Sequence, residues 1–136
     1  MLRRRFLLSS AAFSCAPVAL QAYPAESFSP ALWSSLSDTS DVVVLNYRAS
    51  WSLTCQIKAD ILAKLLSENP DYERLTFIDV DWDQHKRSDL VKSLNVPRRS
   101  TLIALKGDKE LGRIVAGTGK SQIKSLMDTA LQAASA

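Results

Sequence analysis

A chain of 136 residues with 46% hydrophobic and 23% charged side chains is long enough for one domain and a short extra segment. That balance excludes a disordered tail protein, a collagen-like fibre and a polytopic membrane protein. The formal charge of +3 is local. Three of the 17 basic residues are Arg3, Arg4 and Arg5, and no Asp or Glu precedes position 23, so the remainder is neutral and no nucleic-acid partner is expected.

Residues 1–22 read as an export signal peptide. The basic Arg3-Arg4-Arg5 precedes an apolar stretch from Phe6 to about Leu20, and Leu20-Gln21-Ala22 offers a cleavage tripeptide, placing the cut near Ala22. Ser9, Ser10, Ser14 and Pro17 leave that stretch too short and polar for a stable span of roughly 20 apolar residues, so membrane contact is expected only during export. The order Arg3-Arg4-Arg5-Phe6-Leu7-Leu8 resembles the twin-arginine signal, in which two arginines and one further residue precede Phe-Leu. Leu2 departs from that pattern, where a Ser or Thr is usual. The expected location is the periplasm. Cleavage would remove Cys15 and leave Cys55 as a single thiol with no internal bridge to form.

Residues 23–29 read as a linker, and the domain is expected over 30–136. Ser29-Pro30 is a cap followed by proline at the first helical position, predicting a short helix over about 30–37. Val42-Val43-Val44-Leu45 predicts a strand buried on both faces. From Leu53 to Leu66 the residues Ile57, Ile61, Leu62, Leu65 and Leu66 suggest the apolar face of a helix, which Asn69-Pro70 stops. A second strand is predicted from Leu75 to Val80, a helix from Ser88 to Leu94, and a third strand from Thr101 to Leu105. A Gly107-Asp108 turn then leads into a fourth strand from Glu110 to Val115. Ile123, Leu126, Met127 and Leu131 line one face of a closing helix. The order αβαβαββα gives parallel pairing first and an antiparallel hairpin last, hence a mixed four-stranded sheet with helices on both faces.

Element order and several strings resemble the thioredoxin family over roughly residues 28–132. The strongest string runs Val44-Leu45-Asn46-Tyr47-Arg48-Ala49-Ser50-Trp51-Ser52-Leu53-Thr54-Cys55, where the family carries a buried strand running into Trp-Cys-X-X-Cys. Asp83-Gln84 and Ser100-Thr101-Leu102-Ile103-Ala104-Leu105-Lys106-Gly107 match further stretches, and Gly117 sits near the family's glycine after the last strand. The resemblance implies a thioredoxin-like three-layer α/β/α fold and thiol–disulfide chemistry. The thiolate of the first motif cysteine attacks a disulfide and the second resolves the mixed intermediate.

Ser52 stands at the first position, the place of the family nucleophile, so the ordinary dithiol cycle is unavailable and Cys55 is the only reactive motif group. Asn46 corresponds to the family's buried acid and Asp79 to the lysine beside it, so a carboxylate is lost on one strand and gained on its neighbour. Asp79 is a candidate for proton transfer near Cys55; the alternative is a polar strand-end residue. The family's cis-proline corresponds to Ser100, with Arg99 before it, or to Pro97 with a shifted loop. Trp51, Arg99 and Ser100 are therefore the candidate substrate-binding residues. Arg98 and Arg99 could bind an anion such as a glutathione carboxylate, or be solvated loop charges.

The implied partners are protein thiols or disulfides, and glutathione. No cofactor is expected. No metal is expected either: Asp79-Val80-Asp81-Trp82-Asp83 begins like a calcium loop but has Gln84 and Leu90 where glycine and glutamate belong, and His85 lacks ligand spacing. Two classes of function remain: a periplasmic protein in thiol–disulfide chemistry, and a redox-inactive binding or chaperone-like module on the same fold.

Overall fold

The computed structural model describes residues 24–135. The expected signal peptide, its cleavage point and Cys15 lie outside the described residues. The elements run β1 (Ala25–Ser27), α1 (Pro30–Ser37), β2 (Val42–Arg48), α2 (Leu53–Glu68), a 3-10 turn (Pro70–Arg74), β3 (Thr76–Asp81), α3 (Trp82–His85), α4 (Asp89–Ser93), β4 (Thr101–Lys106), β5 (Lys109–Val115) and α5 (Lys120–Ala134). The strand order is β1-β3-β2-β4-β5. The pairs β1–β3 and β3–β2 are parallel, while β2–β4 and β4–β5 are antiparallel.

The central strand follows from its composition. Alternate residues of β2 serve opposite layers: Val42 and Val44 pack with α2 and α5, while Val43, Leu45 and Tyr47 pack with α1 and α4. A strand covered on both sides needs apolar residues at every position, which Val42 to Leu45 supply. Side-chain caps set the helix starts. Ser29 Oγ accepts the Leu32 N–H at 3.1 Å with Pro30 in the first turn of α1, and Ser52 Oγ accepts the Cys55 N–H at 3.4 Å at the head of α2. Gly107 takes a φ of +62° in the β4–β5 turn, the left-handed region where glycine has no Cβ penalty.

The three-layer α/β/α architecture and mixed sheet are those expected, with four differences in detail. The segment 23–29, expected as a linker, contributes β1, so the sheet has five strands rather than four. Ala25–Ser27 carries no alternation to read; it is held by backbone pairing with Phe77–Asp79, which covers the open edge of β3. The expected helix over 88–94 is preceded by a separate short one, α3, because Asp81 Oδ1 accepts the Asp83 and Gln84 N–H groups and Ser88 caps afresh for α4. Pro70–Arg74 adds a 3-10 turn before β3.

The fourth difference bears on the site. The buried face of α2 is Cys55, Lys58, Ala59, Leu62, Leu65 and Leu66: the expected Leu62, Leu65 and Leu66 are inward, but at its start Cys55 and Lys58 take the place of Ile57. Ile57 is 40% exposed. Steps of three and four from Cys55 reach Lys58, Ala59 and Leu62, while Ile57 lies two residues on, across the helix.

Candidate functional site

The strand β2 ends at Arg48 and the chain turns through Ala49 to Trp51 into α2. The Ser52 N–H donates to the Ala49 carbonyl at 3.1 Å, closing that turn, and Ser52 then caps the helix through its Oγ. Cys55 sits in the first turn behind this cap and is 1% exposed. Helix N-termini present unpaired amides and favour negative charge; here the Ser52 hydroxyl occupies the Cys55 amide. Trp51 projects outward, 62% exposed, with Nε1 donating to Asp83 Oδ2 at 2.8 Å. The Arg99 guanidinium lies over its ring, 4.4 Å from the centroid.

Residues 97–100 form the facing loop. Ser100, rather than Pro97, docks onto β2: its N–H donates to the Tyr47 carbonyl at 2.7 Å and its own carbonyl accepts the Ala116 N–H at 2.8 Å. Ser100 is buried and takes a φ of +62°, in the left-handed region that a residue with a Cβ seldom occupies. Every peptide bond among the described residues is trans. Thr101 Oγ1 donates to the Arg98 carbonyl at 2.7 Å, closing the turn that carries Arg99 over Trp51.

Asn46 and Asp79 are register partners on β2 and β3. Asn46 is buried, and its Nδ2 donates to Asp79 Oδ1 at 3.4 Å; Arg48 Nη1 meets Asp79 Oδ2 at 3.3 Å. The carboxylate at 79 is thus held by a guanidinium. It also borders a polar cavity of about 310 Å³ beside β1, with Ser27, Phe28, Arg48, Asp81 and His85 on its walls. His85 meets Phe28 edge-on there, at 4.8 Å between ring centroids.

Sequence reasoning missed Lys58. It is fully buried on the α2 face, one turn beyond Cys55, and its Nζ donates to the Ser100 carbonyl. One residue therefore ties the cysteine helix to the loop bearing Arg99. Burial lowers its amine from 10.5 to about 8; the charge of Cys55 pulls it back upward and Arg98 pushes it further down. The signal was Cys55-X-X-Lys58-Ala59-X-X-Leu62, in which a lysine occupies an apolar helical phase.

The site thus consists of Trp51, Ser52 and Cys55 at the head of α2, Arg99 and Ser100 across from them, and Lys58 beneath. The Thioredoxin family model matches residues 24–129, which contain all of these. The chain belongs to the thioredoxin family. Thioredoxin H2-1 of Oryza sativa subsp. japonica is 26% identical over 98 residues, covering 72% of this chain and 67% of that protein. Trxlp from Edwardsiella tarda EIB202 superposes with a TM-score of 0.68 at 22% identity, covering 76% of this chain and 98% of that one. A thioredoxin from Trypanosoma brucei brucei gives 0.65 at 18% identity, with 86% and 99% covered. The fold is thus that of proteins engaging protein thiols and disulfides.

Proposed function

We propose that this chain is a monothiol thioredoxin-family protein of the periplasm, exported by its twin-arginine-like signal, in which Cys55 is the reactive group. The carrying observation is Cys55 in the first turn of α2, on the buried face between the Ser52 cap and Lys58. In this reading the Cys55 thiolate attacks one sulfur of a partner disulfide. The S–S bond breaks, the other partner sulfur leaves as thiolate, and a mixed disulfide remains. With a hydroxyl at Ser52 there is no internal resolving thiol. The adduct persists until the partner's own second thiol or glutathione displaces it. Trp51 and Arg99 form the rim against which a partner segment would lie, with Ser100 buried behind them, and Asp79 is kept in place by Arg48.

The test is to treat the folded mature chain with glutathione disulfide and with an oxidised protein, then map adducts by mass spectrometry. One adduct at Cys55 is expected from each. The second reading, a redox-inactive binding module, is favoured by the burial of Cys55 beside exposed Trp51 and Leu53. Absence of any adduct on the folded chain, with ready labelling after unfolding, would decide for it.

A further inference from the structure

Lys58 is a buried cation whose charge needs an anion. Its hydrogen-bond partner is the Ser100 carbonyl, a neutral group already accepting the Ala116 N–H. An ammonium removed from water and given one neutral acceptor is costly unless a negative charge lies near. Arg98, from the loop before β4, is a cation and repels it. The sheet face beneath α2 presents Asn46, which is neutral, and Asp79, which is paired with Arg48. The helix α5 meets α2 through the Lys120–Glu68 pair, ten residues further along. On its own helix, one turn back on the same buried face, stands Cys55.

We propose that Lys58 is the counter-ion of the Cys55 thiolate, a positioning residue one helical turn from the sulfur. The proposal rests on the reactive role given to Cys55 above. When the thiol loses its proton to solvent, only an S–H bond breaks, and the electron pair stays on sulfur beside a buried ammonium. No oxidant is required. A negative charge on Cys55 acts to raise the Lys58 amine, the direction such a pairing requires. The bond from Nζ to Ser100 adds a consequence: the same ammonium that faces the thiolate holds the Arg99 loop.

The experiment follows the ultraviolet absorbance of the Cys55 thiolate, and its iodoacetamide labelling, from about pH 5 to about pH 10 in the mature chain. Lys58→Met and Lys58→Gln are compared with Lys64→Met, an exposed lysine of the same helix. Loss of the counter-ion is expected to raise the thiolate midpoint by about one pH unit or more, slowing labelling near neutral pH roughly tenfold. Lys64→Met should leave both unchanged. Glutamine keeps a donor for the Ser100 carbonyl but not the charge, so it should behave like methionine; recovery of the wild-type midpoint by glutamine would assign Lys58 a structural role and overturn the proposal. Should the Lys58 variants not fold, the reciprocal measurement remains. The Lys58 ε-carbon resonance, followed by NMR against pH, should titrate lower in Cys55→Ala than in the natural chain, and an unchanged midpoint would overturn the pairing. Neither readout needs a disulfide substrate, so failure here is distinguishable from failure of Cys55 to form adducts.

Discussion

Replacing Lys58 with methionine should make the protein more stable at neutral pH, although it removes a side chain hydrogen-bonded in the core. The amine is lowered from 10.5 to about 8, so holding it protonated at pH 7 costs the folded state about 3 kcal/mol. Methionine fills a similar volume without charge. The loss of the bond to the Ser100 carbonyl offsets about 1 kcal/mol of the gain, and that carbonyl keeps the Ala116 N–H. The expected net is a stabilisation of about 1–2 kcal/mol, or several degrees in Tm. The sign of the pH dependence is a sharper test. Between the folded value near 8 and the unfolded value of 10.5 the unfolded chain binds more protons, so the lysine penalty is fully present below pH 8 and fades as pH rises through that window. Tyr47 works in the opposite direction: burial raises its hydroxyl well above 10.0, so stability falls once the unfolded tyrosine ionises. The Lys58 contribution is therefore read between about pH 8 and about pH 10. Urea unfolding of the natural chain and Lys58→Met across this range should give curves that converge as pH rises. A methionine variant less stable at neutral pH, or two parallel curves, would refute the reasoning.

Three further outcomes are expected. Ser52→Cys should place two thiols at the spacing of a helix-head disulfide and raise insulin reduction at least about tenfold above the natural chain, while the weak cap at 3.4 Å costs under about 1 kcal/mol; unchanged turnover in an insulin precipitation assay would show that more than Ser52 blocks the dithiol cycle. Ser100→Gly should stabilise by about 1 kcal/mol because the positive φ is no longer strained, whereas Ser100→Pro, which cannot adopt that φ and loses the N–H donated to Tyr47, should destabilise by about 3 kcal/mol or more; urea midpoints in the opposite order would contradict the loop geometry. Replacing Arg3 and Arg4 with lysine should abolish accumulation in the periplasm if export follows the twin-arginine route, and undiminished accumulation in a fractionation assay would reject that route.

The fold was legible wherever a side-chain pattern decides an element. Val42 to Leu45 reads as a doubly covered strand because every residue is apolar, and Ser29-Pro30 reads as a helix start because cap and proline coincide. The strand β1 has neither signal. Its existence depends on backbone groups of Phe77–Asp79 being open at the sheet edge, a fact of the assembled sheet. At the site, Trp51, Ser52 and Cys55 could be found from their order along the chain. The approach of Arg99 to Trp51 could not, since it depends on the turn that Thr101 closes onto Arg98.

Lys58 was hidden by the rule that makes helices readable. Lysine is almost never fully buried, so a lysine three residues after Cys55 is assigned to solvent, and the apolar stripe is then drawn through Ile57 instead. That choice misreads the first turn, where Ile57 is exposed and Cys55 and Lys58 are inward, while Leu62, Leu65 and Leu66 face inward as expected. The register becomes clear once Cys55 is taken as the inward reference, because Ala59, Leu62 and Leu66 follow at helical steps and Lys58 falls among them. A core position filled by a buried charge is a local conflict of the kind expected where stability is given up for chemistry. Two exchanges then belong together. On β2 the neutral Asn46 occupies a buried place, and on α2 a cation occupies an apolar one, one turn from Cys55. Had Lys58 served only to hold the loop, a neutral donor would make the same bond to the Ser100 carbonyl without the charge penalty. The presence of an ammonium there is thus accounted for by an anion, and Cys55 is the group whose charge reaches it.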